Sequence, residues 1–188
     1  MPQGPDRIWE IARAFQPSRV MLTGVELGVF EALGEDSLTS AEVASKIGTD
    51  PRATDRLMDA LVTLGLLTKD GDAFANADDT REFLVRGKPG YAGGALGHII
   101  NLWHTWSTLT DAVRAGTSVY ERKAEERPEQ ARSFMAAMHL FASENAPHVL
   151  SEIDLTKVKR VLDVGGGSGA YSIAFCKAQP DLQSTVFD

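Results

Sequence analysis

The chain has 188 residues, 43% of them apolar and 24% charged, with a formal net charge of −7 and a sequence pI near 5.1; this is enough for one good hydrophobic core and part of another, and the acidic balance argues against general attraction to nucleic acid or anionic membrane. The single cysteine, Cys176, rules out an intrachain disulfide and suits a reducing cytoplasm. Met1 to Asp6 lacks the basic-then-apolar pattern of a secretion signal, and no apolar run approaches a membrane span, which needs roughly 18 residues.

In chain order, Ile8, Ile11, Ala12 and Phe15, then Val20, Leu22, Val25, Leu27, Val29, Phe30 and Leu33, recur at helical spacings and predict two helices that meet at Pro17. The stripe around Trp9 and Phe15 has little local core; either a second subunit or the same chain covers it. Between Ser37 and Val85, Thr39 or Ser40 caps a helix carrying Val43, Ala44 and Ile47, Gly48 ends it and Asp50-Pro51 starts another. The second helix directs Leu57, Leu61, Leu64 and Val62 inward. Leu66, Leu67, the Asp70-Gly71 turn and Phe74 then predict a small β-wing, so the whole reads as a winged helix. A DNA-reading helix needs basic residues toward phosphates. Here Arg52 and Arg56 are offset by Asp50, Asp55 and Asp59, and the wing region holds Asp70, Asp72, Asp78 and Asp79. No nucleic-acid partner is expected.

After the Gly90-Tyr91-Ala92-Gly93-Gly94 bend, one helix from Leu96 to Ala115 is predicted, with Ile99, Trp103, Trp106 and Val113 forming an apolar face that serves either as core or as pocket wall. The charged span from Tyr120 to Arg132 reads as a solvated connection. His98, His104, His139 and His148 have no ligand-like grouping with cysteines or paired carboxylates, so no metal site is expected.

The densest signal is Val161-Leu162-Asp163-Val164-Gly165-Gly166-Gly167-Ser168-Gly169. Val161, Leu162 and Val164 predict a short buried strand, Tyr171 to Lys177 opens a helix, and the glycines form the junction, free to take positive φ and to present N–H groups to a ligand. Gly165, Gly167 and Ala170 also satisfy the dinucleotide spacing G-x-G-x-x-G/A. Asp163 argues for another cofactor. Its charge would repel a pyrophosphate but suits the ammonium and sulfonium of S-adenosylmethionine. Nineteen residues after Gly169, a second strand through Val186 and Phe187 ends in Asp188, placed for ribose hydroxyls. The expected cofactor-binding residues are Asp163, Gly165, Gly166, Gly167 and Asp188.

Val161 to Asp188 resembles the S-adenosylmethionine-dependent O-methyltransferases of small-molecule metabolism, the group related to hydroxyindole O-methyltransferase and microbial polyketide methylases; its D-V-G-G-G-x-G opening is Asp163 to Gly169 here. The resemblance extends over nearly the whole chain. It implies a mainly α N-terminal dimerisation domain with a winged-helix core, followed by the first β-α-β of an incomplete Rossmann-like α/β methyltransferase domain. The corresponding divisions are 1–112 for dimerisation, 113–156 for linking helices that form part of an acceptor pocket, and 157–188 for the start of the cofactor domain. It also implies a homodimer and a small, aromatic or polyketide-like hydroxyl acceptor facing Trp103, Trp106, Phe134 and Met138. Met135 and Phe141 lie on the same helix as the last two.

Family members continue past the acid at Asp188 through further strands and the general-base histidine, so no catalytic residue is expected here. Two parallel strands and one crossover helix cannot form a doubly wound sheet, and the chain alone is expected to be inactive, the N-terminal portion of a longer enzyme. Two other readings remain open. A winged-helix regulator would bind duplex with steep salt dependence; a non-catalytic dimerisation module would self-associate and bind no adenosyl ligand.

Overall fold

The computed structural model describes residues 5–120 and 127–188. The first four residues, and 121–126 of the charged span, lie outside the described residues. The chain divides into two compact units, Met1–Gly93 and Gly94–Asp188. It is mainly helical, with small sheets.

The first unit begins with α1 (Pro5–Arg13), α2 (Phe15–Leu27) and α3 (Val29–Leu33). The expected two helices are therefore three, and the breaks fall at Ala14 and at Gly28, not at Pro17. Pro17 is the third residue of α2, where its missing N–H would have had no intrahelical acceptor. Gly28 takes a φ of 77°, and its N–H closes onto the Val25 carbonyl at 3.1 Å.

Then come β1 (Leu38–Thr39), α4 (Ser40–Ile47), α5 (Pro51–Thr63), β2 (Leu67–Asp70), β3 (Ala73–Asn76) and α6 (Asp78–Leu84). The three strands form an antiparallel sheet in the order β1-β3-β2, and Asp70 pairs with Ala73 across a two-residue turn. Local chemistry sets the helix starts. Thr39 Oγ1 accepts from the Glu42 N–H at 3.3 Å while Glu42 Oε2 accepts from the Thr39 N–H at 2.8 Å, a reciprocal capping box. At α5, Asp50 Oδ1 accepts from the Ala53 N–H at 2.8 Å, with Pro51 in the first turn.

Val29, Phe30, Leu33, Val43, Met58, Leu61, Leu67 and Phe74 make one buried cluster, with Leu57 and Val62 packed against it. Leu64 is not inward: it caps the C-terminus of α5 and is exposed, because the turn into β2 carries it off the buried face. Thr54, Met58 and Leu61 take the buried positions of α5. Asn76, also buried, donates to the carbonyls of Phe30 (2.9 Å) and Gly34 (3.0 Å) and ties β3 to the end of α3. In contrast, α1 buries no residue, and Ile8, Trp9, Ile11 and Phe15 are 54–69% exposed.

The second unit contains α7 (Gly93–Ser107, which starts at the unit boundary), α8 (Leu109–Ala115), α9 (Arg127–Glu152), β4 (Arg160–Val164), α10 (Ala170–Ala178) and β5 (Gln183–Phe187). The predicted Leu96–Ala115 helix is two helices, interrupted at Thr108, whose hydroxyl donates to the Thr105 carbonyl at 2.8 Å. Such side-chain bonding competes with the helical ladder. The charged connection is shorter than expected, since α9 is already formed from Arg127. Strands β4 and β5 pair in parallel, Val161 opposite Ser184 and Asp163 opposite Val186. α10 packs on β5 and on α9.

The strand predicted as buried is buried on neither face fully. Leu162, Val164 and Phe187 are 65–70% exposed. A parallel sheet buries its strands only when helices cover both faces, and among the described residues α10 is the helix packed on this pair.

Candidate functional site

The glycine loop leaves β4 at Val164 and enters α10 at Ala170. Gly165, Gly167 and Gly169 have φ of 70°, 51° and 71°, which a side-chain-bearing residue rarely adopts. Gly166 is required for a different reason. A Cβ there would sit 2.6–2.8 Å from the carboxylate of Asp163. The acid named from the sequence therefore packs directly against bare backbone of the loop.

Asp188 meets the loop from the other strand: its Oδ2 accepts from the Gly167 N–H at 2.7 Å. The structure thus brings together all five residues expected to bind cofactor. Three loop N–H groups are bonded within the chain: Gly165 donates to the Phe187 carbonyl (2.7 Å), Gly167 to Asp188, and Gly169 to the Gly166 carbonyl (2.8 Å). The strand ladder takes the first of these donors, the Asp188 carboxylate the second and the tight turn the third.

Long helix α9 reaches the loop as well. His139 Nδ1 lies 2.9 Å from Ser168 Oγ, the Met135 sulfur is 3.5 Å from where a Gly167 Cβ would stand, and Asn145 Nδ2 donates to the Tyr171 hydroxyl at 3.1 Å. Sequence reading placed Met135 on the acceptor-facing helix, gave His139 no ligand role and did not single out Asn145. Histidine spacing alone carried no signal, because the loop contact is made between residues 29 apart.

A cavity of about 470 Å³ opens in the same unit, lined by His98, Asn101, Thr105, Tyr120, Gln130 and Phe134 together with Leu102 and Ala131. Phe134 is the member of the expected acceptor-facing set found in this lining, where its ring meets His98 edge-on at 5.3 Å. Trp103 and Met138 are half-buried on the same two helices, and Trp106 is 66% exposed. The polar members, Asn101 and Gln130 above all, were missed because single amides on a helix face carry no periodic signal. Among the described residues, no group of three His, Cys, Asp or Glu side chains could hold a metal ion, and no helix is long and apolar enough to cross a membrane.

Comparison with known proteins agrees with this layout. Residues 9–86 match the O-methyltransferase dimerisation domain and residues 106–188 match the O-methyltransferase domain. The chain belongs to the S-adenosylmethionine-dependent O-methyltransferase family. It is 33% identical to the tetracenomycin polyketide synthesis 8-O-methyl transferase TcmO of Streptomyces glaucescens, over 99% of this chain and 57% of that protein. It is 31% identical to the N,N-dimethyltransferase OxyT of Streptomyces rimosus, over 95% of this chain and 55% of OxyT. The crystal structure of human N-acetylserotonin methyltransferase in complex with S-adenosylmethionine superimposes with a TM-score of 0.82 at 28% identity, over all of this chain and 60% of the human one. The chain spans little more than half the length of these two curated relatives.

Proposed function

We propose that the second unit of this methyltransferase-family chain holds S-adenosylmethionine at the glycine loop, in an enzyme that methylates a small aromatic or polyketide-like hydroxyl acceptor. The observation that carries this reading is the pair of carboxylates on the loop: Asp163 against Gly166, and Asp188 on the Gly167 N–H. The donor chemistry fits the cofactor. An ammonium and two ribose hydroxyls are donors, and ionised carboxylates are acceptors only, each able to take several hydrogen bonds. Asp163 would hold the ammonium. Asp188, with one oxygen on the loop, would offer the other to the ribose. When bound, the cofactor supplies an electrophilic methyl group on sulfur, and the protein's task is to position the acceptor oxygen in line with it.

The acceptor is assigned to the α7 and α9 side, with Phe134 in the cavity lining and Trp103, Trp106 and Met138 as further contacts. No residue of the chain is assigned as general base, and by itself the chain is read as inactive. OxyT's name marks it as an N-methylating relative; oxygen is preferred here on the matched domain and the other relatives' names.

The reading of the first unit as a winged-helix dimerisation domain is supported by its β1-α4-α5-β2-β3 order and by the uncovered apolar residues of α1, which suit a second copy of the chain. Residues 1–112, 113–156 and 157–188 remain the proposed functional divisions, and a cytoplasmic homodimer the proposed state.

Calorimetric titration with S-adenosylhomocysteine, after sizing in the same buffer, tests the proposal. Binding that is lost in Asp163→Ala and weakened in Asp188→Ala supports it. Binding untouched by both substitutions would remove the cofactor site from this loop.

A further inference from the structure

Beneath Asp163 lie two serines where a parallel strand and its crossover helix ordinarily pack apolar side chains. Ser172, in the first turn of α10, is 5% exposed. Its Oγ donates to Asp163 Oδ2 at 2.6 Å. The Ser184 hydroxyl in turn donates to Ser172 Oγ at 2.8 Å. Strand register accounts for the meeting: Ser184 pairs with Val161, so it shares with Asp163 the sheet face turned toward α10.

The direction of this short chain is fixed by valence. A hydroxyl has one proton, and an ionised carboxylate accepts only, so Ser172 must give its proton to Asp163 and accept from Ser184. Charge-assisted bonds of this kind are short and strong. Oδ2 is thereby committed, while no donor among the described residues reaches Oδ1. The same carboxylate is also confined by the loop, since it occupies the space a Gly166 side chain would need. Pinned by the hydroxyl on one side and by backbone on the other, it has one orientation before any ligand arrives, which reduces the ordering cost of binding.

We propose that Ser172, oriented by Ser184, is a positioning residue that aims Asp163 Oδ1 at a primary ammonium, and so selects adenosyl ligands that carry an amino-acid tail over those that lack one. The proposal rests on the cofactor reading above and adds to it the two serines and a ligand preference.

The test is titration of the full chain with two probes, S-adenosylhomocysteine and 5′-methylthioadenosine, which keeps the adenosyl thioether but has no amino-acid portion. Ser172→Ala should weaken S-adenosylhomocysteine about tenfold, or about 1.4 kcal/mol, and leave 5′-methylthioadenosine unchanged. Ser184→Ala should show a smaller loss in the same direction. Ser172→Thr, which keeps the hydroxyl, should restore the preference, and Ser172→Ala should add nothing in an Asp163→Ala background. A purely structural role would weaken both probes together. Equal loss of the two, or no loss of S-adenosylhomocysteine in both serine-to-alanine variants, overturns the positioning role and leaves the cofactor reading standing. Failure of the unmodified chain to bind either probe overturns the cofactor reading and this inference with it.

Discussion

The two units keep their shape by different means. In the first, eight side chains from helices and strands close into a core no more than 2% exposed, and position follows from apolar packing. In the second, the sheet that carries the glycine loop leaves Leu162, Val164 and Phe187 at 65–70% exposure, yet its loop is tightly specified. Specification there comes from hydrogen bonds: Ser172 to Asp163, Gly167 to Asp188, and His139 beside Ser168. Core substitutions should therefore act on stability, and loop substitutions on ligand affinity, with little exchange between the two.

The largest effect is expected at Phe30. It is buried at 1% exposure, among Val29, Leu33 and Leu61. Phe30→Ala should cost about 3–5 kcal/mol in urea unfolding of the first unit, from lost transfer energy plus a cavity. A cost under about 1 kcal/mol would show that the cluster repacks freely and that the contrast drawn here is wrong.

Gly166→Ala comes next and tests the other side of the comparison. The new methyl would occupy the space of the Asp163 carboxylate, and a displaced carboxylate should weaken S-adenosylhomocysteine by about tenfold, or about 1.4 kcal/mol. Thermal midpoint should move little. A large fall in midpoint with affinity retained would mean that the acid is a structural element of the loop.

What was legible in the sequence follows the same division. Caps, the hairpin and the glycine loop were readable because each is a local pattern: Thr39 with Glu42, Asp50 with Pro51, Asp70-Gly71, and Asp163 before the glycines. The break at Thr108 was missed because apolar spacing runs through it, while the interruption arises from one hydroxyl. Burial of Leu162 and Val164 was overestimated because composition reports what a strand is suited to, and exposure depends on which layers pack against it. Ser172 and Ser184 escaped notice since neither belongs to a motif; their meaning appears only when register places them under Asp163. Small polar residues on a strand and helix face otherwise expected to be apolar would have been the usable signal.

A smaller stability effect should come from Gly24→Ala. An added Cβ would stand 3.0 Å from the Phe30 ring and 3.2 Å from Leu61, and both neighbours are too well packed to retreat. The gain in helix propensity, about 1 kcal/mol, should be outweighed, for a net loss of about 1 kcal/mol. A rise in the urea midpoint would show that this core has room the contrast denies it.

The smallest effect is the one that carries a pH signature. Glu42 has its carboxyl held below the ordinary value of 4.5, first by the Thr39 backbone N–H and then by the Thr39 hydroxyl. A carboxylate whose folded pKa is depressed contributes stability that is complete above its unfolded pKa and is lost as pH falls through the folded value. At neutral pH, Thr39→Ala should cost about 1 kcal/mol as the cap is lost. Below pH 4.5 the gap between the variant and the unmodified chain should narrow, because protonation of Glu42 removes the bond its carboxylate accepts from the Thr39 hydroxyl at 2.7 Å, which the variant lacks, whereas the bond from the residue-39 backbone N–H weakens in both. Glu42→Gln keeps a side-chain acceptor for the Thr39 N–H but cannot titrate, so its midpoint should lack this step. Urea unfolding at neutral pH and at successively lower pH reads both variants. A gap that stays constant through the acid range would show that the Thr39 hydroxyl acts through the Glu42 N–H alone and that its bond to the carboxylate adds nothing.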